Sequence, residues 1–203
     1  MSRDPARAIY AANSAELAAR YEEISVSGHF APVIDLFPAP PARIADIGAG
    51  SGRDASWFAE LGHKVVAAEP VAELRAEAMR RHPDADVCWI ADGLPDLALL
   101  SARPGFDLLT VSAVWHHVPP DNRADAMRNL AALLAPDGLL VMSLRHGPLA
   151  VERGVFPPDA GGAIALAEAQ GLRLQRCVRV DAQQQDSRLA GIIWEWLALS
   201  QQP

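Results

Sequence analysis

The stretch from Ala42 to Gly62 constrains this chain more than any other, because it reads as a buried strand, a glycine turn and an amphipathic helix in immediate succession. Ile44, Ala45 and Ile47 form a short apolar run around the acidic Asp46. Gly48, Gly50 and Gly52 then leave no side chain between the backbone and whatever lies above the turn, so a bound molecule can touch the main chain there. From Asp54 the pattern turns helical, with Ala55, Phe58, Ala59 and Leu61 near one face and Gly62 as a stop signal. A ligand seat at the opening of that helix is expected.

Glycine spacing narrows the ligand. A pyrophosphate-binding turn needs glycine at its first, third and sixth positions. Counting from Gly48, the third position is Gly50 but the sixth is Arg53, which disfavours a NAD(P)-dependent oxidoreductase. The run from Gly48 to Gly52 has Gly50 at its centre where a hydrolase elbow would have serine. Asp-x-Gly-x-Gly-x-Gly, from Asp46 to Gly52, instead resembles the first motif of the class I, Rossmann-like S-adenosylmethionine-dependent methyltransferases. The resemblance covers about Arg43 to Leu199, while the first forty residues match only in being helical. It implies an α/β fold, a three-layer α/β/α sandwich around a mostly parallel seven-stranded sheet of order 3-2-1-4-5-7-6 with strand 7 antiparallel.

The rest of the chain reads consistently with that fold. Residues 1–41 are expected to form a helical extension or lid, with Asp4 and Pro5 opening a helix that carries Ile9, Tyr10, Leu17 and Tyr21 and meets no breaker until Ser25. A second helical piece from Phe30 to Phe37 ends at Pro38, Pro40 and Pro41. Within the domain at 42–203, strands are expected at 63–69, 86–91, 106–111, 139–144, 172–180 and 189–199, with helices over 71–81, from Asp121 to Leu134 and from Asp159 to Gln170. Five strand-helix units would then end in a hairpin, whose polar link, 181–188, carries no helix and so joins an antiparallel pair.

Composition limits the partners. Half of the 203 residues are apolar, enough for one substantial core. Lys plus Arg number 18 against 25 Asp plus Glu, and the net charge of -7 with no basic run argues against nucleic acid. No run of about eighteen apolar residues or apolar leader is present, so a soluble cytoplasmic protein without a membrane partner, a monomer or homodimer, is expected. Cys88 and Cys177 are expected to be buried core residues, and no His, Cys or carboxylate set has metal-site spacing.

Candidate functional residues follow. Glu69 closes the second strand nineteen residues beyond Gly50, where a carboxylate can accept hydrogen bonds from both ribose hydroxyls. Arg53, at the helix opening, could face the carboxylate of the cofactor's methionine portion, and the resemblance places Asp92 at the exocyclic amine of adenine with the Gly93 amide facing the ring. It extends the S-adenosylmethionine contacts to Asp46, Gly48, Ala49, Gly50, Pro70, Leu94 and Ser112, with S-adenosylhomocysteine as product. The loop after the fourth strand offers His117 and His116 as a general base, His117 ahead, or as hydrogen-bonding loop residues. Trp115 could wall an acceptor pocket, Arg145 and His146 could recognise an anionic acceptor, and Tyr10 and Tyr21 either touch ligand or pack their helix. Ser112-Ala-Val-Trp stands where nucleobase amine methyltransferases carry an Asp or Asn before Pro-Pro and an aromatic residue, which disfavours that substrate. The expected activity is O- or N-methylation of a small molecule, against a non-catalytic binding module.

Overall fold

The computed structural model describes residues 5–148 and 154–201. Within them seven strands, β1 (Arg43–Ile47), β2 (Lys64–Ala68), β3 (Val87–Ile90), β4 (Phe106–Val111), β5 (Leu134–His146), β6 (Leu172–Asp181) and β7 (Ile193–Gln201), form one sheet. Their order is β3-β2-β1-β4-β5-β7-β6. Strands β1 to β5 are parallel, and β7 is antiparallel to both β5 and β6. The fold and topology expected from the glycine turn are those found.

Three helices precede the sheet: α1 (Pro5–Ala12), α2 (Ser14–Glu22) and α3 (Val26–Phe30). The others are α4 (Arg53–Glu60), α5 (Ala72–Arg81), α6 (Arg123–Leu133), α7 (Ala160–Glu168) and the short α8 (Gln185–Leu189). Alternation along the strands divides the core between the two faces of the sheet. Ala45, Leu109, Leu140 and Met142 join Met127 and Leu130 of α6 and Ala163 of α7. On the other face Ile44, Leu108 and Val141 meet Phe30, Phe58 and Trp196. Asp159 caps α7 as expected, accepting from the Gly162 N–H at 2.8 Å, which contributes about 1 kcal/mol.

Several local expectations are corrected. The first helix breaks at Asn13, whose side chain donates to the Ile9 carbonyl at 2.8 Å and competes with the helical backbone. The expected cap at Asp4 lies outside the described residues. Helix α3 ends at Phe30, and only a 3-10 turn, Ile34–Leu36, precedes the prolines. The link from β3 to β4 is built of turns, so four rather than five strands lead into a crossover helix. Strand β5 begins at Leu134 and absorbs Pro136, Asp137 and Gly138 as an irregularity, its register against β4 jumping from Phe106↔Leu134 to Leu108↔Leu139. Helix α8 occupies the hairpin link expected to be free of helix.

Cys88 and Cys177 are free and exposed rather than buried, because they face outward on the edge strands β3 and β6. Among the described residues no group of three or more His, Cys, Asp or Glu is placed to hold a metal ion, and no helix is long and apolar enough to cross a membrane.

Candidate functional site

The carboxyl edge of the sheet opens into a cavity of about 550 Å³, the size of a small-molecule site. Its floor is the glycine turn, where Gly48, Gly50 and Gly52 take φ of 74°, 55° and 83°. Only glycine adopts that left-handed backbone freely. A Cβ on Gly48 would also lie 2.3 Å from Cγ2 of Val114, and one on Gly52 would lie 3.0 Å from Cβ of Ala78. The turn is therefore pressed against the loop after β4 and against α5. Above Gly50 the Tyr21 ring lies 3.6 Å from where a Cβ would stand.

Glu69 ties the turn to the end of β2. Its Oε2 accepts from the Gly50 N–H at 2.9 Å and its Oε1 from the Val71 N–H at 2.8 Å. Burial raises the Glu69 pKa, opposed by those two amides and by Arg75. Asp46 lies deeper, accepting the Thr110 hydroxyl at 2.7 Å on Oδ1, while Oδ2 has no hydrogen-bond partner among the described residues. Burial, with Asp54 nearby, pushes the Asp46 pKa up to about 7 against the pull of the Thr110 bond. Three carboxylates, Asp46, Asp54 and Glu69, thus act on one another around the opening of α4. Arg53 partly offsets them: its Nη2 sits 2.7 Å from Asp54 Oδ1, and its Nη1 donates to the Tyr21 carbonyl at 3.1 Å.

Gly48, Ala49, Gly50, Arg53, Glu69, Pro70, Gly93, Leu94 and Ser112 all line the cavity, as do Tyr10, Tyr21, His116, His117 and Arg145. Four expected positions do not. Asp46 is enclosed within the sheet by Thr110. Asp92 turns its carboxylate onto its own loop, accepting from the amides of Gly93, Leu99 and Leu100 at 3.0, 2.8 and 2.9 Å. Trp115 is fully buried in the core beneath the loop and walls no pocket. His146, one residue beyond Arg145 on the same strand, points to the opposite face, where it pairs with Glu195 at 2.7 Å.

The wall opposite the glycine turn is made of rings. His117 lies edge-on to Tyr10 with centroids 5.5 Å apart, and its Nε2 is 3.1 Å from the Tyr10 hydroxyl. Its Nδ1 is 3.3 Å from the Gly154 carbonyl, which only accepts, so Nδ1 donates and Nε2 takes the tyrosine proton. His116 sits 4.4 Å from His117 and 6.0 Å from Trp194, centroid to centroid. Burial holds the His116 pKa well below that of a free imidazole, with His117 and Arg145 adding to the effect. Its Nδ1 has no partner among the described residues.

The sequence did not single out His29, Trp194, Trp196, Gln183 or Gln184 as pocket residues, yet all line the cavity. His29 Nε2 lies 2.7 Å from the Ser112 hydroxyl, and its ring meets Trp196 edge-on at 4.9 Å. Burial lowers the His29 pKa to about 4, with Asp54 opposing and Arg53 reinforcing the shift. The roof comes from both ends of the described chain, since Gln184 Nε2 donates to the Arg20 carbonyl at 3.3 Å and the Gln183 amide crowds Gly28.

A doubly wound sheet with a glycine turn, a carboxylate closing the next strand and a cavity at the carboxyl edge is the arrangement in which open α/β sheets seat their ligands. A family profile described as a methyltransferase domain matches residues 19–183, and the chain belongs to that family. Among curated relatives, the ubiquinone biosynthesis O-methyltransferase of Xanthomonas campestris is 33% identical over 108 residues, which is 51% of this chain and 43% of that protein. The chain spans less than half the length of the curated relatives it matches. Solved structures share the fold, two of them as follows. A TehB-like SAM-dependent methyltransferase from Corynebacterium glutamicum superposes with a TM-score of 0.67 at 23% identity, covering 97% of this chain and 98% of that one. The 1,6-didemethyltoxoflavin-N1-methyltransferase of Burkholderia thailandensis, solved with 1,6-didemethyltoxoflavin and S-adenosylhomocysteine, gives 0.66 at 21% identity, covering 97% and 87%.

Proposed function

We propose that this chain binds S-adenosylmethionine across the glycine turn and transfers its methyl group to an oxygen or nitrogen of a small molecule. The observation that carries the reading is the charge around the turn. A dinucleotide would bring its pyrophosphate to the opening of α4, where Asp54 and Glu69 line the cavity and Asp46 lies buried behind them. Glu69 and the Asp54–Arg53 pair there disfavour a pyrophosphate, whereas a sulfonium or an ammonium group would be attracted by the carboxylates. The cradle also fits, since the bare backbone of Gly50 and the cavity-lining carboxylates of Asp54 and Glu69 suit a polar, cationic guest.

In this reading Glu69 receives the ribose hydroxyls. Each of its oxygens already takes one amide proton and retains a second lone pair for a hydroxyl. Gly93 and Leu94 flank the adenine, and Ser112 stands at the border with the acceptor. When bound, the cofactor supplies an electrophilic methyl on a good leaving group, so the protein's share is alignment and exclusion of water. His117 is the base we assign. Its Nε2 now takes the Tyr10 proton and would exchange it for that of the acceptor, while Gly154 keeps the ring oriented. Of the expected lid at 1–41, the described helices α1 to α3 would cover the site, with Tyr21 over the glycine turn and Tyr10 against His117.

Titration calorimetry with S-adenosylhomocysteine and, separately, with NAD and NADP tests the reading. Binding of the first with no heat from the other two is expected, and the reverse pattern would remove it.

A further inference from the structure

The acceptor half of the cavity carries a chemical preference of its own. Tyr10, His29, His116, His117, Trp194 and Trp196 all line it. They come from α1, α3, the loop after β4, and β7, yet they form two runs of ring contacts, Tyr10 to His117 to His116 to Trp194, and His29 to Trp196. Most of this wall is uncharged near neutrality, since burial keeps His29 and His116 in their neutral forms. Of the carboxylates that line the cavity among the described residues, Asp54 and Glu69 belong to the glycine turn, which leaves Asp181 alone at this end. An aliphatic ammonium acceptor would find little compensating charge here, whereas a flat π-system would find ring edges and faces.

The wall also has one polar seat. The Ser112 hydroxyl, 2.7 Å from His29 Nε2, lies at the carboxyl end of β4, between the glycine turn and the rings. A hydroxyl backed by a neutral imidazole can both accept and donate, so it suits a hydroxyl or ring N–H of the acceptor beside the atom whose proton His117 takes.

We propose that the acceptor is a flat aromatic or heteroaromatic molecule that packs on Trp194, which Trp196 backs from the core, and seats a hydroxyl or ring N–H on the Ser112–His29 pair. This rests on the cofactor reading above and narrows it to a substrate class. Arg145, on the same side of the cavity, would take an anionic substituent on the ring.

The test is a binding experiment. Protein is first titrated with S-adenosylhomocysteine, then the saturated complex with 3,4-dihydroxybenzoate, 8-hydroxyquinoline, glycine and phosphoethanolamine, following heat and tryptophan fluorescence. At least one aromatic probe is expected to bind and quench the emission, with neither aliphatic amine binding as tightly. Trp194→Ala should weaken the aromatic probe roughly tenfold and Trp194→Phe much less, as for a lost ring contact. His29→Phe should weaken it several-fold while affinity for S-adenosylhomocysteine stays within about twofold. Tighter binding of an aliphatic amine, or no aromatic probe bound by protein that binds S-adenosylhomocysteine, would overturn the substrate class and leave the cofactor reading intact. Failure of the first titration would overturn both.

Discussion

The two halves of the cavity are built by different means. The glycine turn half is local: Gly48, Gly50, Gly52 and Glu69 lie within one strand-helix-strand unit, and their contacts are short backbone hydrogen bonds and tight approaches. The ring-lined half is assembled from α1, α3, the loop after β4, and β7, and Tyr10 and His117 meet there across 107 residues. One half is fixed by chain geometry, the other by tertiary packing. A substitution in the first should strike fold and cofactor together, while one in the second should mostly alter acceptor choice.

The harshest way to break that contrast is Gly48→Ala. Its Cβ would collide with Val114 at a φ that disfavours any side chain. We expect loss of roughly 2 to 4 kcal/mol of stability and no measurable binding of S-adenosylhomocysteine, read by denaturant unfolding and calorimetry. Glu69→Ala should cost about 1 to 3 kcal/mol of cofactor affinity through lost charge-assisted hydrogen bonds; an unchanged dissociation constant would remove the ribose assignment.

Asp46→Asn sharpens the comparison through pH. Burial raises this group from 3.8 to about 7, so across that window the folded state holds a proton that the unfolded state has released. Wild-type stability should therefore fall as pH rises through it. The asparagine stays neutral and can still accept from Thr110, so its stability relative to the wild type should grow by about 3 to 4 kcal/mol between pH 4 and pH 8. Urea unfolding at the two pH values checks this. The smallest effect belongs to the other half: Tyr10→Phe removes the bond to His117, about 0.5 to 1.5 kcal/mol, and should speed hydrogen exchange in α1 while lowering the unfolding midpoint only slightly.

This difference in construction also explains what could be read from the sequence. Spacing alone located the glycine turn and Glu69, because a βα turn followed by a strand leaves few arrangements for the chain. Trp115 was misplaced because the turn Trp115–His117 is 3-10, and at three residues per turn it sends successive side chains in different directions, the tryptophan inward and the histidines toward the cavity. Pairing Arg145 with His146 overlooked a rule the sequence does carry, that neighbours on a strand face opposite ways. His29 and Trp194 left no local signal. Their role depends on α3 and β7 reaching the loop after β4, across β5 in the case of β7, and only the assembled sheet brings them there.

The bond from Gln184 to the Arg20 carbonyl joins segments 164 residues apart in sequence. With Gln183 pressed against Gly28, it fastens the α8 hairpin to the first helices above both compartments. In the proposed reading, cofactor and acceptor would both lie beneath that seam. If methyl transfer occurs as proposed and parting that seam limits it, the rate should fall as the medium is made more viscous.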